Sequence, residues 1–316
     1  MTVYGVTGGS GALGRLAVRE LLARGVVAHE VVALARTPSK AADLSALGVQ
    51  VRAADYGDLR AQTAALAGVD RLLLVSSSEA GRRVAHHANV IEAAEKTGVS
   101  RIVYTSMLNV DGSTNPLAGE HRDTEAILRA AAVPFVTLRN GWYTENYTDQ
   151  LGSYLERGEI VGAAGTGAIS AATRQDYAEA AVVILSQDSD SARAYELGGP
   201  AFALAELAQV VHEVTGTPVA YRDLPTGEYV AALQSAGMGE DTARFVAALD
   251  TSIAHGDLQT DSQDLAHVLG RPPTSLADAV QDAYAGAAEN DRLAPSSSRP
   301  AESSVARAAL RSFGDL

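Results

Sequence analysis

Short apolar runs alternate with longer amphipathic stretches through the first half of the chain. The runs are rich in β-branched residues and predict strands at residues 3–7, 31–35, 49–53, 71–75, 101–105 and 134–138. Stretches with apolar residues at helical spacing predict helices between them, among others at residues 13–24, 60–66, 80–97 and 122–131. Continuous apolar strands separated by helices are typical of a parallel sheet that helices cover on both faces. The pattern therefore predicts an α/β fold built on a doubly wound parallel sheet.

The pattern is less regular after residue 142. It predicts strands at residues 159–163, 194–197 and 218–222, and helices at residues 176–185, 204–215, 228–236 and 241–249. This order indicates a smaller cap lobe over residues 143–286, and a return of some of its segments to the edge of the first sheet is left open. Residues 287–316 include the proline- and serine-rich stretch PSSSRP, and this composition predicts a flexible tail.

A glycine-rich turn directly follows the first predicted strand. Residues 7–14 read TGGSGALG, so glycines at 8, 11 and 14 form a variant of the dinucleotide-binding fingerprint. In that fingerprint one glycine permits the tight turn, one lets the backbone approach a pyrophosphate, and one lets the next helix pack closely on the sheet. The helix also offers free N–H groups to the phosphates. The motif therefore predicts a Rossmann fold that binds a dinucleotide over residues 1–142.

The end of the second predicted strand indicates which dinucleotide is bound. Arg36 occupies the region where an NAD-preferring site carries an acidic residue for the ribose 2′-hydroxyl. An arginine instead pairs with a 2′-phosphate, and Lys40 is near enough in sequence to add a second cation. The prediction is that the cofactor is NADPH. A solvated basic loop is the alternative interpretation of this pair.

Polar residues also follow the third and fourth predicted strands. Asp55 comes after the third, and Ser76, Ser77 and Ser78 come after the fourth. Ligands of open α/β sheets bind outside the carboxyl ends of the strands, so these residues are expected at the same cleft. The serines also suit the start of the next helix as capping residues, and the two roles are compatible.

Charge and composition exclude several classes of function. The chain has 316 residues, with 25 basic and 38 acidic side chains for a net charge of −13. This balance argues against a nucleic-acid partner, because phosphate backbones require a basic surface. Cysteine is absent, which excludes a disulfide scaffold and thiolate chemistry. With no long apolar run and no basic leader ahead of the first strand, we expect no membrane insertion and a cytoplasmic location.

The motifs together resemble one known family. They are TGGSGALG at residues 7–14, AADYGD at 53–58, LLLVSSSE at 72–79, LRNGWYTENY at 138–147 and ATRQDY at 172–177. In this order they are similar to the NmrA-like branch of the atypical short-chain dehydrogenases/reductases, and within it to the bacterial NADPH-dependent quinone oxidoreductases of the second type. The resemblance covers about residues 1–286.

This resemblance implies a set of cofactor contacts. Besides Arg36 and the three serines, the implied contacts are Gly8, Gly9, Ser10, Gly11, Ala12, Leu13, Gly141, Trp142, Tyr143, Thr144, Glu145, Asn146 and Arg174. Arg174 would add a fixed cation from the cap lobe, which binds the substrate. The clustered aromatic residues after the sixth strand favour a lined pocket over ordinary core packing.

The proton-transfer residues of the wider superfamily are missing. Its members place Tyr and Lys four residues apart on one helix, but here His121 and Glu125 occupy those positions. Ser106 still matches the usual serine. Classical ketone or alcohol chemistry is therefore disfavoured. His121 and Glu125 lack a third ligand, so no metal site is predicted.

Quinone reduction remains, because a quinone accepts hydride readily and its product needs little help from an acid. The prediction is direct hydride transfer from NADPH to a small quinone, without flavin or metal. Candidate donors are Tyr143, Asn140, Ser106 and Tyr104, with His121 as a candidate proton donor. The alternative is a non-catalytic NADP(H)-binding redox sensor of the NmrA type. A homodimer is left open.

Overall fold

A parallel sheet of seven strands forms the centre of the larger lobe. The computed structural model describes residues 1–188 and 192–293. Its strands are β1 (Tyr4–Val6), β2 (Val31–Ala35), β3 (Gln50–Ala53), β4 (Arg71–Leu74), β5 (Arg101–Met107), β6 (Phe135–Asn140), β7 (Glu159–Gly162), β8 (Ala168–Ile169), β9 (Ala194–Leu197), β10 (Phe202–Ala203) and β11 (Ala220–Asp223). The sheet order is β3-β2-β1-β4-β5-β6-β9. The predicted α/β fold with a doubly wound parallel sheet is confirmed.

Helices cover both faces of this sheet. The helices of both lobes, within the described residues, are α1 (Ala12–Ala23), α2 (Ala42–Ala46), α3 (Leu59–Ala65), α4 (Arg83–Thr97), α5 (Ala118–Ala130), α6 (Glu145–Thr148), α7 (Leu151–Arg157), α8 (Arg174–Ser186), α9 (Leu204–Thr215), α10 (Thr226–Ser235), α11 (Glu240–Ala254), α12 (Asp264–Leu269) and α13 (Leu276–Leu293). One face buries its apolar side chains against α1 and α8, and the other against α3, α4 and α5. Strand order reverses between β1 and β4, and this reversal opens a crevice at their carboxyl ends.

The larger lobe is built from two separate stretches of chain. After β6 the chain crosses into the smaller lobe and then returns as α8, which packs against α1, and as β9, which pairs with β6. Helix α8 is almost wholly apolar on its sheet side, with Tyr177, Val182 and Leu185 fully buried. The sheet lobe therefore includes residues on both sides of residue 142.

The smaller lobe has its own apolar core and two short sheets. β7 pairs with β11, β8 pairs with β10, and helices α6, α7, α9, α11 and α13 surround a cluster that includes Trp142 and Phe202. The loop after β5 ties this lobe to the sheet, because Asn109 Nδ2 donates to the Gln259 carbonyl at 2.7 Å. Asn115 Nδ2 donates to Ser252 Oγ at 3.0 Å.

The end of the chain differs from the prediction of a tail over residues 287–316. Helix α13 continues to Leu293, so the first seven of those residues are helical. The remainder of the predicted tail lies outside the described residues. No helix in the described part of the chain combines the length and apolarity that crossing a membrane requires.

Candidate functional site

A cleft of about 400 Å³ opens along the carboxyl ends of the central strands. Most of the residues that the sequence predicts for the site line it: Gly8, Ser10, Gly11, Ala12, Leu13, Arg36, Lys40, Asp55, Ser76, Ser77, Ser78, Ser106, His121, Asn140, Gly141, Trp142, Tyr143 and Arg174. They come from eight separate segments of the chain, which the fold brings to the carboxyl edge of the parallel strands.

The glycine turn has the geometry that a bound pyrophosphate requires. Gly8 lies in the left-handed region at φ +60°, and Gly11 N donates to the Gly8 carbonyl at 2.8 Å. A Cβ at Gly14 would lie 2.3 Å from that same carbonyl oxygen, so α1 starts in close contact with the turn. Among the described residues, no side chain caps the amino end of α1. Its first N–H groups are therefore available to an anion.

Arg15 holds this turn against the next loop, and the sequence prediction missed it. Its guanidinium donates to the Ser10 carbonyl at 3.2 Å and to the Lys40 carbonyl at 2.7 Å. It also pairs with Asp43, and this contact lowers the pKa of the Asp43 carboxyl to about 2. Arg15 thereby fixes the spacing between the glycine turn and the loop that carries Arg36.

Arg36 extends over the outer end of the cleft, where it meets an acidic partner. Its Nη1 lies 2.6 Å from Glu79 Oε1, and the Arg36 side chain is 64% exposed. Lys40 lines the same end and is exposed. Asp55 accepts the Gly57 N–H at 2.9 Å, which shapes the turn after β3. Two cations thus lie at the end of the cleft where a 2′-phosphate is expected.

A buried histidine network holds the serine loop after β4. Ser77 N donates to His87 Nε2 at 2.9 Å, so the proton of His87 resides on Nδ1. Nδ1 lies 3.0 Å from Thr124 Oγ1, which itself donates to the Glu120 carbonyl. Burial, with Arg83 nearby, lowers the pKa of His87 to about 3. His87 is therefore a neutral structural residue that positions Ser77.

His121 lies at the inner end of the cleft and is paired with Tyr104. Its Nδ1 lies 2.7 Å from the Tyr104 hydroxyl, and both rings are buried. Burial lowers the pKa of His121 well below its usual value, and the positive charge of Arg83 adds to this effect. Burial raises the pKa of Tyr104. Both groups are neutral near pH 7.

Ser106 is oriented toward Glu125 and not toward an incoming carbonyl. Its Oγ donates to Glu125 Oε1 at 2.7 Å. Arg139 binds the same carboxylate through Nε at 3.0 Å and Nη2 at 2.8 Å, and Glu125 is 1% exposed. The hydroxyl proton of Ser106 is thus used in the hydrogen bond to Glu125. The Ser106 oxygen can still accept a hydrogen bond from a ligand in the cleft. Glu125 anchors this arrangement at the position where the wider superfamily carries lysine.

Asn140 presents a buried amide whose hydrogen bonds are not made. The side chain lines the cleft and is 6% exposed, yet neither Nδ2 nor Oδ1 has a hydrogen-bond partner among the described residues. An unpaired buried amide costs about 1–3 kcal/mol. Met107, Leu117 and Trp142 form an apolar wall of the same cleft. Asn140 therefore offers both a donor and an acceptor to a ligand that lies against this wall.

Tyr143 and Arg174 join the two lobes at the cleft. The Arg174 guanidinium carbon lies 4.8 Å from the centroid of the Tyr143 ring. The Tyr143 ring also meets Tyr177 edge-on, with 5.6 Å between centroids. Arg174 is 6% exposed and donates from Nη2 to Asn146 Oδ1 at 3.3 Å. A cation and an aromatic face are thus fixed together at the mouth of the cap lobe.

Four predicted contacts do not line the cleft. Gly9 faces β2, where a Cβ would lie 2.9 Å from the Ala33 Cβ. Thr144 is buried and its N–H donates to the Ala172 carbonyl. Glu145 accepts the Arg174 N–H at 2.8 Å, and Asn146 lines a separate cavity in the cap lobe. These four residues therefore lie outside the lining of the cleft.

Comparison with known proteins places this cleft in a family. The model of the NAD(P)H-binding family matches residues 8–188, which span the glycine turn, the serine loop and the Asn140 segment. The chain belongs to the NAD(P)H-binding family.

Individual proteins are similar to this chain over most of its length. Quinone oxidoreductase 2 of Escherichia coli is 42% identical over 280 residues, which are 88% of this chain and 98% of that protein. The crystal structure of the Escherichia coli NADPH-dependent quinone oxidoreductase complexed with NADPH superimposes with a TM-score of 0.86 over 89% of this chain and 100% of that one. An NmrA-like oxidoreductase of Aspergillus flavus is 28% identical over 88% of this chain and 94% of its own length. The resemblance seen in the sequence motifs is confirmed.

In this member of the NAD(P)H-binding family, several functional side chains escape sequence analysis. Arg15, Arg83, His87 and Arg139 belong to the site or hold it, but none stands in a motif whose spacing predicts its partner. The sequence places Glu125 at the lysine position of the wider superfamily but does not indicate that Glu125 pairs with Arg139. Across residues 1–188 and 192–293, no three His, Asp or Glu side chains group as a metal ion would require.

Proposed function

We propose that this chain is an NADPH-dependent quinone reductase that transfers hydride directly to a small quinone. The observation that carries the proposal is its 42% identity across 98% of Escherichia coli quinone oxidoreductase 2. The cleft supports it, because it combines a glycine turn beside the uncapped start of α1, two cations and an apolar wall. Neither a flavin nor a metal is part of the proposal.

The residues present fit NADPH. The cradle formed by Gly8, Gly11 and the uncapped start of α1 suits a pyrophosphate, and Arg36 with Lys40 suits a 2′-phosphate. When bound, NADPH supplies the hydride. Ser106, whose lone pairs face the cleft, and Asn140 are the groups that orient the reactive half of the cofactor.

The acceptor lies against the apolar wall of Met107, Leu117 and Trp142. A neutral quinone suits this surface, and its carbonyl oxygens require donors where negative charge develops. His121 is neutral, and in the tautomer that accepts the Tyr104 hydroxyl at Nδ1 its Nε2–H is the donor to the acceptor. The Asn140 amide is a second donor. These groups stabilise the charge, and water supplies the final proton of the hydroquinone.

The test is NADPH oxidation by a panel of simple benzo- and naphthoquinones. The expected result is loss of NADPH absorbance that matches hydroquinone formed mole for mole. Trp142, the single tryptophan of the chain, reports binding through quenching of its fluorescence. Quenching by NADPH without any consumption across the panel would reject the reductase and favour the redox sensor.

Three further expectations stay predictions. They are a cytoplasmic location, the lack of a nucleic-acid partner and the formation of a homodimer, which the sequence leaves open. Sedimentation of the purified chain with and without NADPH measures the last of these directly.

A further inference from the structure

The cap lobe contains a second cavity, separate from the cleft. Its volume is about 200 Å³, and it lies among α6, α7, α10, α11 and β7. Its apolar lining includes Ile160, Leu204, Leu233, Val246, Leu249 and Ile253. An apolar cavity of about 150 Å³ holds one benzene ring. This cavity therefore has room for one or two aromatic rings.

Polar groups converge on one part of this cavity. Tyr147, Tyr154 and Tyr229 line it with their buried side chains, and Asp250 lines it from α11. The pKa values of Tyr147 and Tyr229 are raised by burial first, and next by the charge of Asp250. The carboxyl and the phenols therefore lie close enough to influence one another.

These groups are nevertheless not hydrogen-bonded to one another. Asp250 Oδ2 accepts the Ala163 N–H at 2.7 Å, but its other oxygen has no hydrogen-bond partner among the described residues. Within the same residues, the hydroxyls of Tyr147, Tyr154 and Tyr229 make no hydrogen bond to protein. The free oxygen of Asp250 and the three hydroxyls are therefore available to form hydrogen bonds with a ligand in the cavity.

The lining of the cavity also includes charged side chains. Arg222 and Glu159 line it and form an ion pair, with Nε 2.9 Å from Oε2. Arg157 also lines this region. Because the walls are apolar and aromatic while the carboxyl accepts hydrogen bonds, the complementary ligand is a flat ring that carries a hydroxyl donor.

We propose that this cavity is a binding site for a one- or two-ring phenol, with the phenolic O–H donating to Asp250 and the ring lying among the three tyrosines. Trp142 lines both this cavity and the cleft, so it forms the wall between the two sites. The inference goes beyond quinone reduction and does not depend on it. Burial raises the pKa of Asp250 to about 7, so its ionised form gains from a donor that reaches it.

The experiment is calorimetric titration of the full chain, saturated with NADP⁺, with 2-naphthol. The expected result is one site per chain that 2-methoxynaphthalene, which has the same rings but no donor, fills at least tenfold more weakly. Trp142 fluorescence should change on binding. Absence of 2-naphthol binding, or equal binding of both compounds, overturns the proposal.

Variants locate the site. Ala232→Trp fills the cavity and should abolish binding, whereas Ala231→Trp, at an exposed position one residue away on α10, should not. Asp250→Asn keeps an oxygen for the Ala163 N–H but turns the amide NH₂ to the ligand, so 2-naphthol should bind at least tenfold more weakly. Binding that survives Ala232→Trp but is lost in Leu117→Trp, which obstructs the cleft, means that the phenol occupies the cleft and overturns the proposal.

Discussion

Asn140 is the residue whose surroundings most directly demand a ligand. Its buried amide has no hydrogen-bond partner at either Nδ2 or Oδ1 among the described residues. A folded protein tolerates such a group where function requires it. Replacing the Asn140 amide by an apolar group should therefore raise the stability of the protein and lower its activity.

The variant Asn140→Leu tests this opposition. Replacing the unpaired amide by an apolar group of similar shape should raise the free energy of unfolding by about 1 kcal/mol. Loss of the donor should lower kcat/KM for quinones about tenfold or more. Chemical denaturation of the ligand-free protein and steady-state kinetics measure the two effects.

Asn115 provides the matched control. Its amide is buried and paired, since Nδ2 donates to Ser252 and Oδ1 accepts the Leu117 N–H at 3.0 Å. Asn115→Leu should lower the free energy of unfolding by about 2 kcal/mol. If both substitutions lower the free energy of unfolding by the same amount, the Asn140 amide is not an unpaired group that a ligand would satisfy.

His121 gives a second prediction at the scale of one residue. Because burial lowers its pKa, the folded protein keeps the imidazole neutral as the pH falls through the range where histidine normally ionises. The pH profile of kcat should therefore lack an ionisation between about pH 5.5 and 8. His121→Gln should lower kcat without changing the profile. An acid limb near pH 6.5 that disappears in this variant would mean that His121 acts as a charged proton donor.

At the scale of elements, the start of α1 depends on close contact with the glycine turn. Gly14→Ala places a Cβ 2.3 Å from the Gly8 carbonyl oxygen, so turn and helix must separate. We expect a loss of about 3 kcal/mol in the free energy of unfolding and loss of NADPH binding. Thermal denaturation and fluorescence titration measure these outcomes.

Gly119, near the start of α5, is the control for this change. A Cβ there meets nothing within 4 Å among the described residues. Gly119→Ala should leave NADPH binding unchanged and raise the free energy of unfolding by about 0.5–1 kcal/mol. Equal effects of the two substitutions would show that contact with the turn is not what requires Gly14.

The loops after β2 and β4 together set the preference for the cofactor. Arg36 pairs with Glu79 at 2.6 Å in the ligand-free protein, and a 2′-phosphate competes for the same guanidinium. Arg36→Ser should weaken NADPH binding roughly tenfold or more and leave NADH nearly unaffected. Glu79→Gln should strengthen NADPH binding up to about fivefold, because an exposed ion pair contributes at most about 1 kcal/mol. Arg82→Gln, which removes only the second partner of Glu79, is the control. Equal losses for NADPH and NADH in Arg36→Ser would exclude recognition of the phosphate.

At the scale of the whole molecule, the two lobes do not divide at one point of the chain. Helix α8 and strand β9 complete the sheet only after the chain has passed through the cap lobe. Fully buried side chains of α8, such as Tyr177, Val182 and Leu185, fill the core beneath α1. The sheet lobe thus depends on residues beyond 142 for its stability.

A fragment of residues 1–142 should therefore fail to unfold cooperatively. It lacks several side chains whose burial contributes about 1.5–3 kcal/mol each, against a total stability of about 5–15 kcal/mol. The full chain should unfold in one transition that NADPH shifts upward. Calorimetry of both proteins measures this, and a separate transition for the fragment would show that the sheet lobe folds alone.

The spacing of apolar residues was sufficient to predict the bounds of elements that bury an apolar face, whichever residues they pack against. Strands β2 and β9 and helix α9 occur at the bounds that apolar spacing predicts. Short elements escaped, because α6, α7 and the two-residue strands β8 and β10 carry too few residues to show a period. The sequence pattern also does not predict that α13 continues to Leu293, which lies within the predicted tail.

The sequence alone determined the fold class, the dinucleotide cradle and the family, because each depends on residues adjacent in the chain or on a fixed spacing. The tertiary structure decided which polar groups meet. Glu125 and Arg139 are 14 positions apart, Arg36 and Glu79 are 43 apart, and Arg174 reaches Tyr143 only because α8 returns to the sheet. Such pairs depend on distances in space, which periodicity does not encode. The same reason explains the cavity beside Asp250, whose lining comes from separate elements brought together only when the cap lobe folds.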